Sequence, residues 1–420
     1  MTDKGVRIGF VSTRFNGTDG VSLEVVKWVA ILTQQGHECF FFAGDSEWPS
    51  ERSYTVAEAH FNHPDILSLN NDLFDDYLRS VETSQRVQTV KEHLKMHLRK
   101  FVNQFQLDIL IAENALSLPM NVPLGLALTE YIAETGIRVI AHHHDFSWER
   151  SRFDVNSAAD YLRAAFPPVL PSVRHVVINS FAARQLAMRC GARAVLVPNV
   201  MDFDTSPPPA DAYRAGLRAE LGISPDDLLL LQPTRVIPRK RIERAIELAQ
   251  RLDMPNTLVV SHAAGDEGSE YLGYLQKFAD RLGVRIKFAD NRFSRERTQT
   301  EAGLPVYSLA DAYGEADLVT YPSAVEGFGN AFLEAIYYRR PIIMCNYEIF
   351  NVDIKPKGFK VIIFDDFITE ATVQETCDLL QNPERVAEMV ETNYQIACRY
   401  YSYHTLEKNL DVLMSESLGI

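Results

Sequence analysis

The sequence predicts an α/β protein made of two Rossmann-like, doubly wound lobes. Three observations carry that expectation. The chain has 420 residues, too many for one ordinary core and suited to two domains of roughly 200 each. Short apolar strands alternate with amphipathic helices through both halves, the pattern of parallel βαβ units. Between the halves stands Ser206-Pro207-Pro208-Pro209, a stiff stretch that suits a linker. Hydrophobic content of 46% and charged content of 23% are those of a soluble globular enzyme. The formal charge of -14 and pI near 5.3 argue against a general nucleic-acid or anionic-membrane binder, so any bound anion must be caught by a local cluster. Five cysteines stand far apart, without zinc or disulfide spacing. With no signal-peptide core and no apolar run of 18 residues, a cytoplasmic protein is expected.

Taken in order, Arg7–Ser12 is an apolar strand and 13–20 a glycine-bearing loop. A helix follows, with Val21, Val25, Val29 and Leu32 on its apolar side, and Cys39–Ala43 is the next strand. Gly17 and Gly20 lack the third glycine of a dinucleotide fingerprint. Between Glu58 and Leu107 the pattern turns helical and charged. Val90, Leu94, Leu98, Phe101 and Phe105 form a stripe, with Lys91, Lys95, Arg99 and Lys100 off it. Such a basic helix can dock on lipid, but the overall acidity and the lack of Trp on it favour a core-packed helix with a solvated face. Asp108–Ala112 and Arg138–Ala141 read as buried strands with polar ends, Glu113-Asn114 and His142-His143-His144-Asp145, which point toward a crevice at the strand ends. Neighbouring histidines at a strand end alternate in direction and cannot all hold one ion, so no metal site is expected. Arg174–Asn179 and Ala194–Val197 complete the first sheet, with a helix Ser180–Cys190 between them.

The second half repeats the alternation: strands Leu228–Gln232, Thr257–Ser261 and Val284–Phe288, with helices near 242–252, 271–282 and 309–314. After the first of these strands, Arg235 and Lys240 stand five apart across a loop and can clamp one pyrophosphate, the arginine bidentately and the lysine as a point charge. Arg239 and Arg241 are expected to be solvated or to contact neighbours. The stretch Leu318–Cys345 is a strand, the turn Pro322-Ser323-Ala324-Val325, then Glu326-Gly327-Phe328-Gly329-Asn330, a helix carrying Glu334, and a second strand. Its glycines let the backbone approach a ligand, and the helix opening near Asn330 aims N–H groups at it.

Glu326 and Glu334, with Gly-Phe-Gly after the first, Tyr-Pro-Ser before it and a basic pair about ninety residues upstream, resemble the signature of family 4 retaining glycosyltransferases of the GT-B fold. The resemblance implies two lobes facing across a cleft. Residues 1–198 would bind the acceptor, 199–212 would link the lobes, 213–399 would bind the nucleotide sugar, and a helix at about 400–420 would pack back on the first lobe. It implies that Arg235 and Lys240 meet the diphosphate, Glu326 the donor sugar hydroxyls and Glu334 the ribose, with Gly327, Phe328, Gly329 and Asn330 lining the donor. Thr234 replaces the usual glycine before Arg235 and leaves the loop path open. Gly20-Val21 matches a loop beneath the donor, and either His143 or His144 would touch the transferred sugar. Pro198-Asn199-Val200-Met201-Asp202 resembles the family's interdomain joint, with Val-Met where Gly-Val is usual. His262–Gly268 matches the nucleotide-side loop only loosely, and Phe350–Gly358 lacks the usual glycine-rich loop, so the base is not readable.

The implied reaction is metal-independent transfer of a hexose, with retention, from a nucleoside diphosphate sugar to a hydroxyl. Arg14, Arg150, Arg152 and Arg184 near the first lobe's strand ends favour a small anionic acceptor. The leading reading is glucose from UDP-glucose to a sugar phosphate, as in sucrose-phosphate synthase-like enzymes of compatible-solute synthesis. The alternatives are a glycerate or glucosylglycerate acceptor with GDP-mannose, as in mannosylglucosylglycerate synthase-like enzymes, a silent nucleotide-sugar binder, or an epimerase. Neither nucleic acid nor a membrane is an expected partner.

Overall fold

The computed structural model describes residues 5–17, 20–263 and 269–419. It divides into two compact units, Met1–Val200 with Tyr403–Ile420, and Met201–Ser402.

The first unit runs β1 (Arg7–Val11), α1 (Gly20–Gln34), β2 (Glu38–Ala43), β3 (Ser53–Thr55), α2 (Pro64–Leu73), α3 (Val81–Phe105), β4 (Ile109–Glu113), α4 (Val122–Thr135), β5 (Arg138–His143), α5 (Ala159–Ala165), β6 (Val173–Val177), α6 (Ser180–Cys190) and β7 (Ala194–Leu196). Its seven strands are all parallel, in the order β3-β2-β1-β4-β5-β6-β7. Strand alternation buries both faces. Cys39 and Phe41 join Ile8, Phe10, Ile109 and Ile140 on one side, against α1. Phe40 and Phe42 join Val11, Leu110 and Val139 on the other, against α3 and α4. Much of the basic face of α3 is paired within the fold. Lys91 and Lys95 pair with Glu130 of α4, and Lys95 and Arg99 with Glu134. Oppositely charged helix faces explain the stripe that lies beside the apolar one.

The second unit runs α7 (Ala212–Ala215), α8 (Leu217–Glu220), β8 (Leu228–Gln232), α9 (Ile242–Arg251), β9 (Asn256–Val260), α10 (Ser269–Leu282), β10 (Ile286–Phe288), β11 (Phe293–Ser294), β12 (Thr298–Gln299), β13 (Pro305–Ser308), α11 (Leu309–Glu315), β14 (Leu318–Tyr321), α12 (Asn330–Tyr337), β15 (Ile342–Cys345), β16 (Ile362–Phe364), α13 (Glu370–Leu380) and α14 (Pro383–Tyr400). A six-stranded parallel sheet has the order β10-β9-β8-β14-β15-β16, and β11-β13-β12 form a small separate sheet. α15 (Tyr403–Leu418) returns to the first unit. Its Leu406, Leu410, Leu413 and Met414, spaced as one helix face, complete the core beside α1. Burying each such side chain contributes on the order of 1.5–3 kcal/mol.

In both large sheets the order reverses beside the first strand, between β1 and β4 and between β8 and β14. Such a switch point opens a crevice at the carboxyl ends of the two strands. Residues expected to link the lobes are themselves packed. Val200 is buried in the first unit's core, and Phe203 lies edge-on to Tyr394 and Tyr337 in the second. Strands β3, β11–β13 and β16 were not expected, because two to four residues carry no readable periodicity. No helix among the described residues is long and apolar enough to cross a membrane.

Candidate functional site

At the second unit's switch point, β8 ends on buried Gln232, whose amide donates to the Thr234 hydroxyl (2.7 Å) and accepts from Thr320 of β14 (2.8 Å). The side chain that replaces glycine at 234 thus ties the loop to the neighbouring strand. Arg235 follows, exposed, and a short helical turn Pro238–Lys240 brings Lys240 inside. The Lys240 ammonium pairs with the Glu326 carboxylate, and Arg239 adds a longer contact of 3.4 Å. Lys240 also faces the Tyr321 ring, 5.5 Å from its centroid. Burial pushes the Glu326 carboxyl up, but Lys240 and Arg239 outweigh it and hold it below the usual carboxylate range. Burial lowers Lys240, with Glu326 working against the shift. The residue expected to hold diphosphate and the one expected to hold sugar are therefore joined in one buried pair, which neutralises two charges that would each be costly alone. Arg239 contacts this pair, and Arg241 reaches Asp366. His262, after β9, feels both cations. Burial first, then Lys240 and Arg235, lower its pKa to about 4. The rest of the loop, 264–268, lies outside the described residues.

Gly329 precedes α12 with φ of 114°, a conformation that side chains rarely adopt. A Cβ there would run into the Tyr347 hydroxyl and approach that of Tyr321 at 3.3 Å. Tyr347 donates to the Phe328 carbonyl (2.6 Å), so the loop is braced by a tyrosine that the sequence reading had not singled out. Gly327 is exposed, Phe328 buried, and Asn330 opens α12. Glu334, one turn in, accepts from the Tyr313 hydroxyl (2.7 Å), and Tyr338 stacks on the Tyr313 ring. Burial and Glu334 raise Tyr313 well above its ordinary value, so it remains a donor.

In the first unit the loop after β1 carries Gly17 at φ 85°, and exposed Gly20 opens α1; Thr18 and Asp19 lie outside the described residues. At the ends of β4 and β5, alternation separates the histidines. His143 turns into the core, 2.9 Å from His175 and against Phe146. Burial drives His143 well below its usual value and His175 to about 4. His142 and His144 turn the other way, onto one oxygen of Glu113 at 3.0 and 3.3 Å. Glu113 is fully buried and His142 is 1% exposed, while His144 is the more accessible. Burial pushes Glu113 up, but the two imidazoles lower it to about 2, and the carboxylate in turn raises His144. Trp28 of α1 stacks on His142 with centroids 4.3 Å apart. Asn114 accepts from the His144 N–H (3.0 Å) and fixes the turn.

The four arginines sit in four settings. Arg14 lies over Phe61, Arg150 pairs with Asp145, Arg152 lies over Phe153, and Arg184 is exposed on α6. Glu113 was missed as a partner of the histidines because it comes from another strand. Its signal was a charged residue closing an apolar run, Ile109-Leu110-Ile111-Ala112.

The sequence profile of the glycosyl transferases group 1 matches residues 214–396. A mannosylglucosylglycerate synthase of Thermotoga maritima is 33% identical, covering 98% of this chain and 100% of its own length. Another from Petrotoga mobilis is 31% identical over 85% of this chain and 86% of its own. In structure, sucrose-phosphate synthase from Thermosynechococcus elongatus superposes with a TM-score of 0.66 at 14% identity, covering 98% of each chain, a likeness of fold. The chain belongs to the group 1 glycosyl transferases, within the family 4 glycosyltransferases of the GT-B fold.

Proposed function

We propose that this glycosyltransferase moves a mannosyl group from GDP-mannose to glucosylglycerate, with retention at the anomeric carbon. The observation that carries this reading is similarity to two mannosylglucosylglycerate synthases that extends beyond the nucleotide-sugar lobe through the acceptor lobe. It favours the glycerate acceptor over the sugar phosphate that was the leading expectation. A glycerate carboxylate keeps the acceptor small and anionic.

In this reading the donor diphosphate lies against Arg235 and Lys240, and Glu326 passes from Lys240 to the sugar hydroxyls. Glu334, held by Tyr313, takes the ribose. As the bond from the anomeric carbon to the diphosphate oxygen breaks, the acceptor hydroxyl oxygen bonds to that carbon from the same face. Its proton goes to the departing phosphate oxygen. Negative charge grows on the diphosphate, where the buried Lys240 and the exposed Arg235 would stabilise it more in the transition state than in the ground state. Of the two histidines, His144, on the accessible side of β5, is the one that can face the sugar, through Nδ1, since its Nε2 lies on Glu113.

The test is release of nucleoside diphosphate from GDP-mannose and UDP-glucose, each with glucosylglycerate, glycerate, fructose 6-phosphate or no acceptor. Release from GDP-mannose that requires glucosylglycerate, and an α-linked product by NMR, is the expected result. Release only with UDP-glucose and fructose 6-phosphate would return the sugar-phosphate reading.

A further inference from the structure

We propose that Glu113, His142 and His144 form a binding site for one divalent transition-metal ion, zinc fitting best and manganese or cobalt next. The expectation of no metal site rested on three adjacent histidines that cannot face one ion. Alternation does remove His143, which turns to His175. It also brings His142 and His144 to the same side, and β4 supplies the third ligand in place of His143. Glu113 and His142 are register partners on adjacent parallel strands, so their side chains stand side by side.

The geometry is that of a coordination triangle. Glu113 Oε2 lies 3.0 Å from His142 Nδ1 and 3.3 Å from His144 Nε2, and the three donor atoms fall within 4.8 Å of one another. Zinc bonds of about 2.0–2.2 Å in a tetrahedron separate ligand atoms by about 3.4 Å. These separations also suit hydrogen bonds, so two further observations matter. Glu113 Oε1, in a fully buried carboxylate, has no hydrogen-bond partner among the described residues, and a metal ion would take it as a second carboxylate ligand. Each ligand is also held from behind: His142 by the Trp28 ring, the His144 backbone by Asn114, and Glu113 as the last residue of a central strand. Rigid support of this kind is what a metal site requires of its surroundings. Two imidazoles and one carboxylate suit zinc and manganese better than magnesium, and three protein ligands leave a position open on the His144 side.

The experiment strips the full-length protein with a chelator, returns Zn²⁺, Mn²⁺, Co²⁺ or Mg²⁺, and measures bound metal after dialysis, the visible absorption of the Co²⁺ form and the melting temperature. One Zn²⁺ per chain, a raised melting temperature and a Co²⁺ spectrum of four- or five-coordinate type are expected. Glu113→Gln and His144→Ala should each weaken Zn²⁺ binding by roughly a hundredfold or more, since even second-layer changes cost 10–100-fold. His404→Ala, which alters an exposed histidine elsewhere, should not. His144→Ala is the safer variant, because its side chain is the least buried of the three. No zinc above background in the unaltered protein would overturn the proposal. So would zinc that survives in a folded His144→Ala, or a Glu113→Gln variant that loses stability in a protein that never bound metal. The last result would mean a hydrogen-bonded triad only.

Discussion

The two switch points occupy the same place in two similar sheets and hold opposite chemistry. In the second unit, Lys240 and Arg239 surround one carboxylate with positive charge, and Arg235 adds to it at the surface. In the first unit, a buried carboxylate is surrounded by neutral or weakly basic rings, His142, His144 and Trp28. Topology therefore chooses where a ligand goes, and the residues after the strands choose which one. On the proposed function, the second site would receive a polyanion whose charge rises during reaction, and the first would orient a polar, hydroxyl-rich group or hold a cation.

The sharpest way to break this contrast is Lys240→Ala. It removes the charge on which the diphosphate would rest and leaves Glu326 buried without its nearest partner. Turnover should fall on the order of 10²–10³-fold, and folding stability by about 3–5 kcal/mol in urea titration. The double variant Lys240→Met, Glu326→Gln should regain much of the stability and none of the turnover. Normal turnover in Lys240→Ala would remove the clamp from the second lobe, and with it the contrast.

A smaller effect separates backbone shape from charge. Gly329→Ala places a methyl group at φ 114° and against the Tyr347 hydroxyl. A loss of about 1–2 kcal/mol is expected from the backbone conformation alone. Because the loop that carries Glu326 must shift, donor KM should rise with it. Ala at 329 with unchanged melting temperature and KM would show that the loop yields freely.

The second site's candidate residues were easier to pick out than the first's because each half is a short local motif: Arg235 and Lys240 lie five residues apart and Glu326 and Glu334 eight. The direct pairing of the two halves, Lys240 with Glu326 across 86 residues, was not readable. Glu113 and His142 are 29 residues apart and meet only because β4 and β5 pair in a particular register. The long strands were readable as apolar runs. The two-residue β11 and β12 and three-residue β16 were not, since pairing with a neighbour makes them strands. The tyrosines that brace this stretch, Tyr347 on the Phe328 carbonyl and Tyr313 on Glu334, carry no signal of that role in the sequence. Nothing in a linear sequence tells which buried hydroxyl meets a carboxylate.

Tyr313→Phe tests that bracing with a milder change. It deletes one hydrogen bond to Glu334 and keeps the ring stacked on Tyr338. A loss near 1 kcal/mol is expected, read as about a fivefold rise in donor KM with kcat preserved. A fall in kcat at constant KM would instead place Glu334 in the chemical step.

The smallest effect compares one histidine from each lobe. His175 and His262 are both lowered to about 4, the first chiefly by burial, the second by burial and then by Lys240 and Arg235. Each is protonated near pH 6.5 when unfolded and only near pH 4 when folded, so each lobe loses stability as pH falls through that window. Their causes differ, and so should their responses. Binding of GDP, whose phosphates would neutralise the two cations, should raise the His262 pKa by a fraction of a unit in an NMR titration, while His175 stays in place. High salt should move His262 the same way but less, because Arg235 is exposed and Lys240 is not. If GDP moves both equally, or neither, the cations near His262 are not where the diphosphate binds. The electrostatic difference between the two switch points would then belong to folding alone and not to recognition of the donor.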